Sequence, residues 1–148
     1  QFITDNSSDN EHATTEESDA IADIEEKLDV KMPEFYYRPY GMEFLDCEIN
    51  DKAYFAKLEY QYEENVEVFY IEKQKQETTS KIKSLNGTEV IVDEIVNGDL
   101  KIVIKELEDE TDKEPTYVAS WTSGECTYSW IGKMHLNELK KIVKEMKV

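Results

Sequence analysis

Tyr117-Val118-Ala119-Ser120-Trp121-Thr122-Ser123-Gly124-Glu125-Cys126-Thr127-Tyr128-Ser129-Trp130-Ile131-Gly132 decides the fold of this 148-residue chain. Its apolar side chains fall on every second position: Tyr117, Ala119 and Trp121, then Cys126, Tyr128 and Trp130. A period of two belongs to a strand with one covered face, and Ser123-Gly124 between the runs predicts a tight hairpin turn. Beyond Gly132 the period changes. Leu136, Leu139, Ile142, Val143 and Met146 recur at helical spacing, and Lys140, Lys141, Lys144 and Lys147 crowd the far half. Cations are favoured there by the helix dipole. The unit reads as a hairpin closed by a packing helix.

Working outward, Leu100, Ile102 and Ile104 alternate after an Asn97-Gly98 hairpin signal, with Val90 and Val92 sharing a face before it. Further upstream, Leu45, Cys47 and Ile49 alternate, Asn50-Asp51-Lys52 turns the chain, and Tyr54, Ala56, Leu58, Tyr60 and Tyr62 share one side. Glu63-Glu64-Asn65 turns it again into Val66, Val68 and Tyr70. The pattern is that of an antiparallel meander with one wet face. Near the start, Ile21, Ile24 and Leu28 are helical in spacing, Ser18 is placed to cap that helix, and Pro33 requires it to stop. The expected fold is α+β: a curved antiparallel sheet of six to seven strands, with an N-terminal and a C-terminal helix packed on one face.

Residues 1–18 are mostly Ser, Thr, Asn, Asp and Glu with little to bury, so they read as a disordered acidic linker before a single domain over 19–148. Such a leash suits the join between a membrane anchor and an ectodomain, and the opening Gln1-Phe2-Ile3 without an initiator Met fits an anchor upstream of Gln1; a trimmed end reads the same way. The 17 basic and 34 acidic residues leave a net charge of −17. That charge repels phosphate backbones and anionic lipid, which argues against nucleic-acid partners and against direct membrane binding by this domain.

Catalytic chemistry has few candidates. His12 lies in the tail and His135 at the head of the last helix, where helping to begin the helix competes with acting as base or ligand. No Cys or second His stands at metal-ligand spacing from it. Glu108-Asp109-Glu110-Thr111-Asp112 lacks the mid-loop Gly and terminal Glu of a calcium loop. The expectation is a non-enzyme without cofactor or metal. Cys47 and Cys126 fall among apolar neighbours, as buried thiols or, outside the cytoplasm, as a bridged pair. Trp121, Tyr128 and Trp130 are either core or the lining of an apolar groove. Tyr36, Tyr37 and Tyr40, in a proline-bounded segment, are either a plug over the sheet edge or a partner contact.

The order of elements resembles the domain of unknown function 4367 family of Firmicutes. The residues that carry the resemblance are Trp121, the short turn, Tyr128, Gly132 and the helix opening Leu136-Asn137-Glu138-Leu139, with Pro39-Tyr40-Gly41 as a permuted form of the family's Pro-x-Gly-Tyr turn. The resemblance spans roughly residues 20–148. It implies an extracytoplasmic domain of a membrane-anchored, anti-sigma-factor-like protein, and it carries no catalytic residues. The functional expectation is a module binding an unknown protein or cell-envelope ligand; the alternative is a carrier or sensor of an apolar ligand held between sheet and helix.

Overall fold

The computed structural model describes residues 15–74, 88–108 and 114–148. The elements run α1 (Thr15–Leu28), β1 (Glu43–Asn50), β2 (Phe55–Tyr62), β3 (Asn65–Lys73), β4 (Thr88–Asn97), β5 (Leu100–Glu108), β6 (Thr116–Ser123), β7 (Cys126–Gly132) and α2 (Leu136–Glu145). The seven strands form one antiparallel sheet in the order β1-β2-β3-β7-β6-β5-β4. Two meanders, β1–β3 and β4–β7, therefore join where β3 pairs with β7. The α+β architecture expected from the sequence is the one observed.

Both helices cover the same face. One ladder row crosses all seven strands on that side: Cys47, Leu58, Phe69, Trp130, Ala119, Ile104 and Asp93. Small Ala119 beside large Trp130 lets the row interdigitate with the helices. Ile24 and Leu28 of α1, and Leu139, Ile142 and Val143 of α2, are fully buried against this face. Between the helices the segment 32–38 drives Phe35 edge-on into Phe69 and Trp130, at ring centroid distances of 5.1 and 5.3 Å.

Strand ends also hold the helix ends. Lys73 Nζ donates to the carbonyls of Leu28 and Asp29 at 3.3 and 3.0 Å, while Val30 N closes back on Glu25 O around Asp29 at φ 54°. For α2, Asn97 Nδ2 donates to the carbonyls of Val143 and Met146 at 3.0 and 2.8 Å. Carbonyls left over at each C-terminus thus find donors from the sheet.

Several local expectations are corrected. Helix α1 begins at Thr15, so Ser18 lies inside it; Glu17, assigned to the linker, is buried because Arg38 and Tyr60 bind its carboxylate. On β3 the covered side carries Glu67, Phe69 and Ile71 rather than Val66, Val68 and Tyr70. Register fixes this, since Phe69 pairs with Leu58 and Ile71 with Ala56. Bulges at Leu45 and Val92 break two further alternations, so Phe44 takes the covered position instead of Leu45, and Val90, Ile91 and Val92 are all exposed. Two hairpin loops sit one residue later than expected, at Gly98-Asp99 and Gly124-Glu125, because Asn97 pairs with Leu100 and Ser123 with Cys126. Both glycines have φ of 61°, a conformation that needs no Cβ. Residues 1–14, 75–87 and 109–113, which include most of the linker and of the acidic loop, lie outside the described residues.

Candidate functional site

The aromatic residues of the closing hairpin are interior. Trp121 and Tyr128 stack at 5.5 Å with planes 6° apart, and Tyr60 stacks on Trp130 at 5.5 Å. Phe69 fills the space between them, and Phe35 covers Trp130 from the helix side. Tyr128 OH donates to Lys31 O at 2.8 Å, tying the sheet to the segment that follows α1.

Into this apolar setting the fold places two glutamates. Glu17 Oε1 accepts from Arg38 Nη1 at 2.8 Å and its Oε2 accepts from Tyr60 OH at 2.7 Å. Arg38 is itself fixed by donating from Nε to Phe35 O at 3.2 Å. Burial beside the Glu17 carboxylate holds the Tyr60 phenol well above its ordinary range.

Glu67 is held differently. Its exposure is 0%, Oε1 accepts from Trp130 Nε1 at 3.2 Å, and Oε2 has no hydrogen-bond partner among the described residues. One ladder step beyond Val68–Ile131 it lies opposite Gly132. A Cβ on Gly132 would fall 1.9 Å from Glu67 Oε1, so the missing side chain is what makes room for the carboxyl. Burial pushes the Glu67 carboxyl up to about 7; the Trp130 hydrogen bond opposes this, and nearby Glu63 adds to it. Sequence inspection passed over Glu67 because an acid between valines reads as a wet position; the signal was Gly132 on the facing strand.

The tyrosines of the proline-bounded segment separate. Tyr37 is buried and its OH donates to Glu138 Oε1 of α2, with Lys141 over its ring. Tyr36 and Tyr40 are 44% and 69% exposed, and Lys147 lies over the Tyr36 ring. Backbone bonds between Glu34 and Lys147, 2.8 Å in each direction, anchor this segment to the chain end. Exposed His135 precedes α2 without capping it through its side chain; its carbonyl accepts from Glu138 N and Leu139 N.

The cysteines are both free. Cys47 on β1 and Cys126 on β7 are three strand spacings apart, on the order of 14 Å, which is beyond the reach of a disulfide. Burial, with Asp46 and Asp23 nearby, pushes the Cys47 thiol up to about 11, leaving it little thiolate character. Among the described residues no group of three or more His, Cys, Asp and Glu side chains is placed to hold a metal ion, and no helix is long and apolar enough to cross a membrane.

The sheet's two edges differ. Outer strand β1 carries exposed Glu43, Asp46 and Glu48 around a single exposed aliphatic residue, Leu45. Outer strand β4 exposes aliphatic residues instead: Val90, Ile91, Val92 and Val96, with Ile91 at 57% and Val96 at 71%. Each of its acids in 89–94 is met by a lysine from inboard. Glu89 faces Lys105 at 3.3 Å, Glu94 faces Lys101 at 3.5 Å, and Asp93 faces Lys140 at 2.7 Å. The row of backbone groups on the outer side of β4 pairs with no strand among the described residues.

An open antiparallel sheet with two helices on one face, an aromatic interior and a neutralised aliphatic edge defines the class. The family described as Domain of unknown function (DUF4367) matches residues 32–146, and the chain belongs to it. No curated protein and no solved structure matches the chain.

Proposed function

We propose that this domain is a non-catalytic, extracytoplasmic module that binds a protein partner on behalf of a membrane-anchored regulatory protein, and that the partner docks along β4. The observation that carries the reading is the β4 edge: aliphatic, charge-balanced by its own lysines, and open for strand addition in a chain otherwise strongly acidic. Natural edges are normally blunted by charge, and β1 carries three exposed acids of which Glu48 is paired, to Lys57 at 3.5 Å. Tyr36, beside the chain end that Asn97 of β4 helps to hold, supplies an exposed ring at the same end of the molecule. The carrier reading draws less support, because Phe35 and Phe69 occupy the space between sheet and helices where an apolar ligand would sit.

A photocrosslinking amino acid at Ile91 or Val96, compared with one at Glu48, tests the proposal in cells making the parent protein. A discrete protein adduct is expected from the β4 positions and not from Glu48. Equal adducts from both edges, or none from β4, would defeat it. Ile91→Lys and Val96→Lys should abolish the adduct from a probe at Val90 while leaving thermal unfolding nearly unchanged.

A further inference from the structure

Glu67 sits where two connections meet. It follows the β2–β3 turn (Glu63-Glu64) by three residues, and its carboxyl lies over Gly132, the last residue before the link to α2. Asn65 Nδ2 donates across the same junction to Lys133 O at 3.5 Å. The carboxyl is the deepest polar group at this contact, and it has one hydrogen bond for two oxygens.

The ionisable groups around it are phenols and carboxylates. Tyr60 and Tyr62 stand on β2, Glu63 in the turn, Tyr37 on the segment before β1, and Glu138 on α2; burial and then Glu63, Glu138, Tyr37 and Glu67 together push the Tyr62 phenol up. The cations nearby are Arg38, bound to Glu17, Lys141, over the Tyr37 ring, and half-buried Lys133, which follows Gly132 in the connection; His135 is exposed. An ionised Glu67 therefore has the Trp130 indole N–H for support and like charge at Glu63. Its carboxylate is relieved only by reaching water, and water lies beyond the contact between the turn and Gly132.

We propose that Glu67 is a proton-operated latch, holding the β2–β3 turn against the Gly132–His135 connection while its carboxyl is protonated and loosening that contact when the carboxyl ionises. The proton moves between solvent and Glu67 alone, and no other group changes state. Because α2 begins just after this connection, loosening is transmitted to the first turn of the helix, which Tyr37 ties to the 32–38 segment through Glu138.

Carbon-detected NMR of the Glu67 carboxyl in the wild-type protein reads the site without any substitution. A midpoint near 7 is expected, accompanied by a shift of the Trp130 indole N–H and none of the Trp121 indole, which has no hydrogen-bond partner among the described residues. Amide hydrogen exchange over Gly132–Leu139 then reads the latch, comparing wild type with Glu67→Gln at each pH so that intrinsic exchange chemistry cancels. With a carboxyl that is ordinary at 4.5 when released and about 7 when latched, the wild-type to variant ratio should rise roughly a hundredfold between those limits and level off above them. A Glu67 midpoint below 5 overturns the proposal. So does a midpoint near 7 with an exchange ratio that stays flat, which would make Glu67 a buried acid with no mechanical consequence.

Discussion

Glu17, on α1, and Glu67, on the sheet face that the helices cover, are both buried, with exposures of 1% and 0%, yet the chain treats them oppositely. Glu17 meets a guanidinium on one oxygen and a phenol on the other; Glu67 meets one indole N–H and a gap left by glycine. A buried charge with full partners locks what it touches. A buried carboxyl with half its partners is comfortable only when neutral, and so responds to pH. The same residue type thus serves as a rivet in one place and as a proton-sensitive contact in the other.

The rivet should fail first. Arg38→Met leaves Glu17 buried without its counter-charge, and such broken pairs cost about 3–5 kcal/mol. Urea unfolding should show a midpoint lowered accordingly with unchanged slope; a loss below about 1 kcal/mol would mean Glu17 swings out to water. Next comes the pH response of Glu67. Its folded pKa is raised from 4.5 to about 7, so the folded chain keeps a proton that the unfolded chain has released. The associated stability is fully present below 4.5 and is lost as pH rises through about 7, amounting to roughly 3 kcal/mol. Stability of wild type relative to Glu67→Gln should therefore decline from acid toward neutral pH, measured by urea titrations at pH 4, 5.5, 7 and 8.5. A flat difference would place the Glu67 carboxyl in water.

How much of this was legible in the sequence follows from range. The Tyr117–Gly132 hairpin and the α2 stripe are local patterns, readable because period and turn chemistry agree within sixteen residues. On β3 two alternations compete: Val66, Val68 and Tyr70 are as strand-like as Phe69 and Ile71, and only pairing with Leu58 and Ala56 chooses between them. Neither buried glutamate was visible. Glu17 lies 21 residues from Arg38 and 43 from Tyr60, and Glu67 lies 63 from Trp130. An acid's partners at such separations leave no periodic trace near it. The aliphatic β4 edge was misread for a different reason, since the bulge at Val92 turns an apparent covered face outward.

Smaller effects sharpen the contrast. Gly132→Ala drives a Cβ into the Glu67 carboxyl at a position with no exposed escape, and overpacking of this kind costs about 1–3 kcal/mol. Combined with Glu67→Ala the two losses should be clearly less than additive, because the clash disappears with the carboxyl. Full additivity would mean Gly132 matters for backbone reasons alone.

The gentlest change moves the rivet toward the other type. Tyr60→Phe keeps the ring that stacks on Trp130 and removes only the hydroxyl that donates to Glu17 Oε2. Arg38 still neutralises the carboxylate, so the cost should be that of one hydrogen bond to a charged acceptor, about 1.5–3 kcal/mol, at the low end if a water replaces the phenol. The informative comparison is with Arg38→Met, read as urea midpoints at one pH for each single variant and for the double variant. Losing one neutral donor should cost clearly less than losing the counter-charge. If Tyr60→Phe costs nothing, the guanidinium alone holds Glu17, and the number of hydrogen bonds is not what divides the two sites.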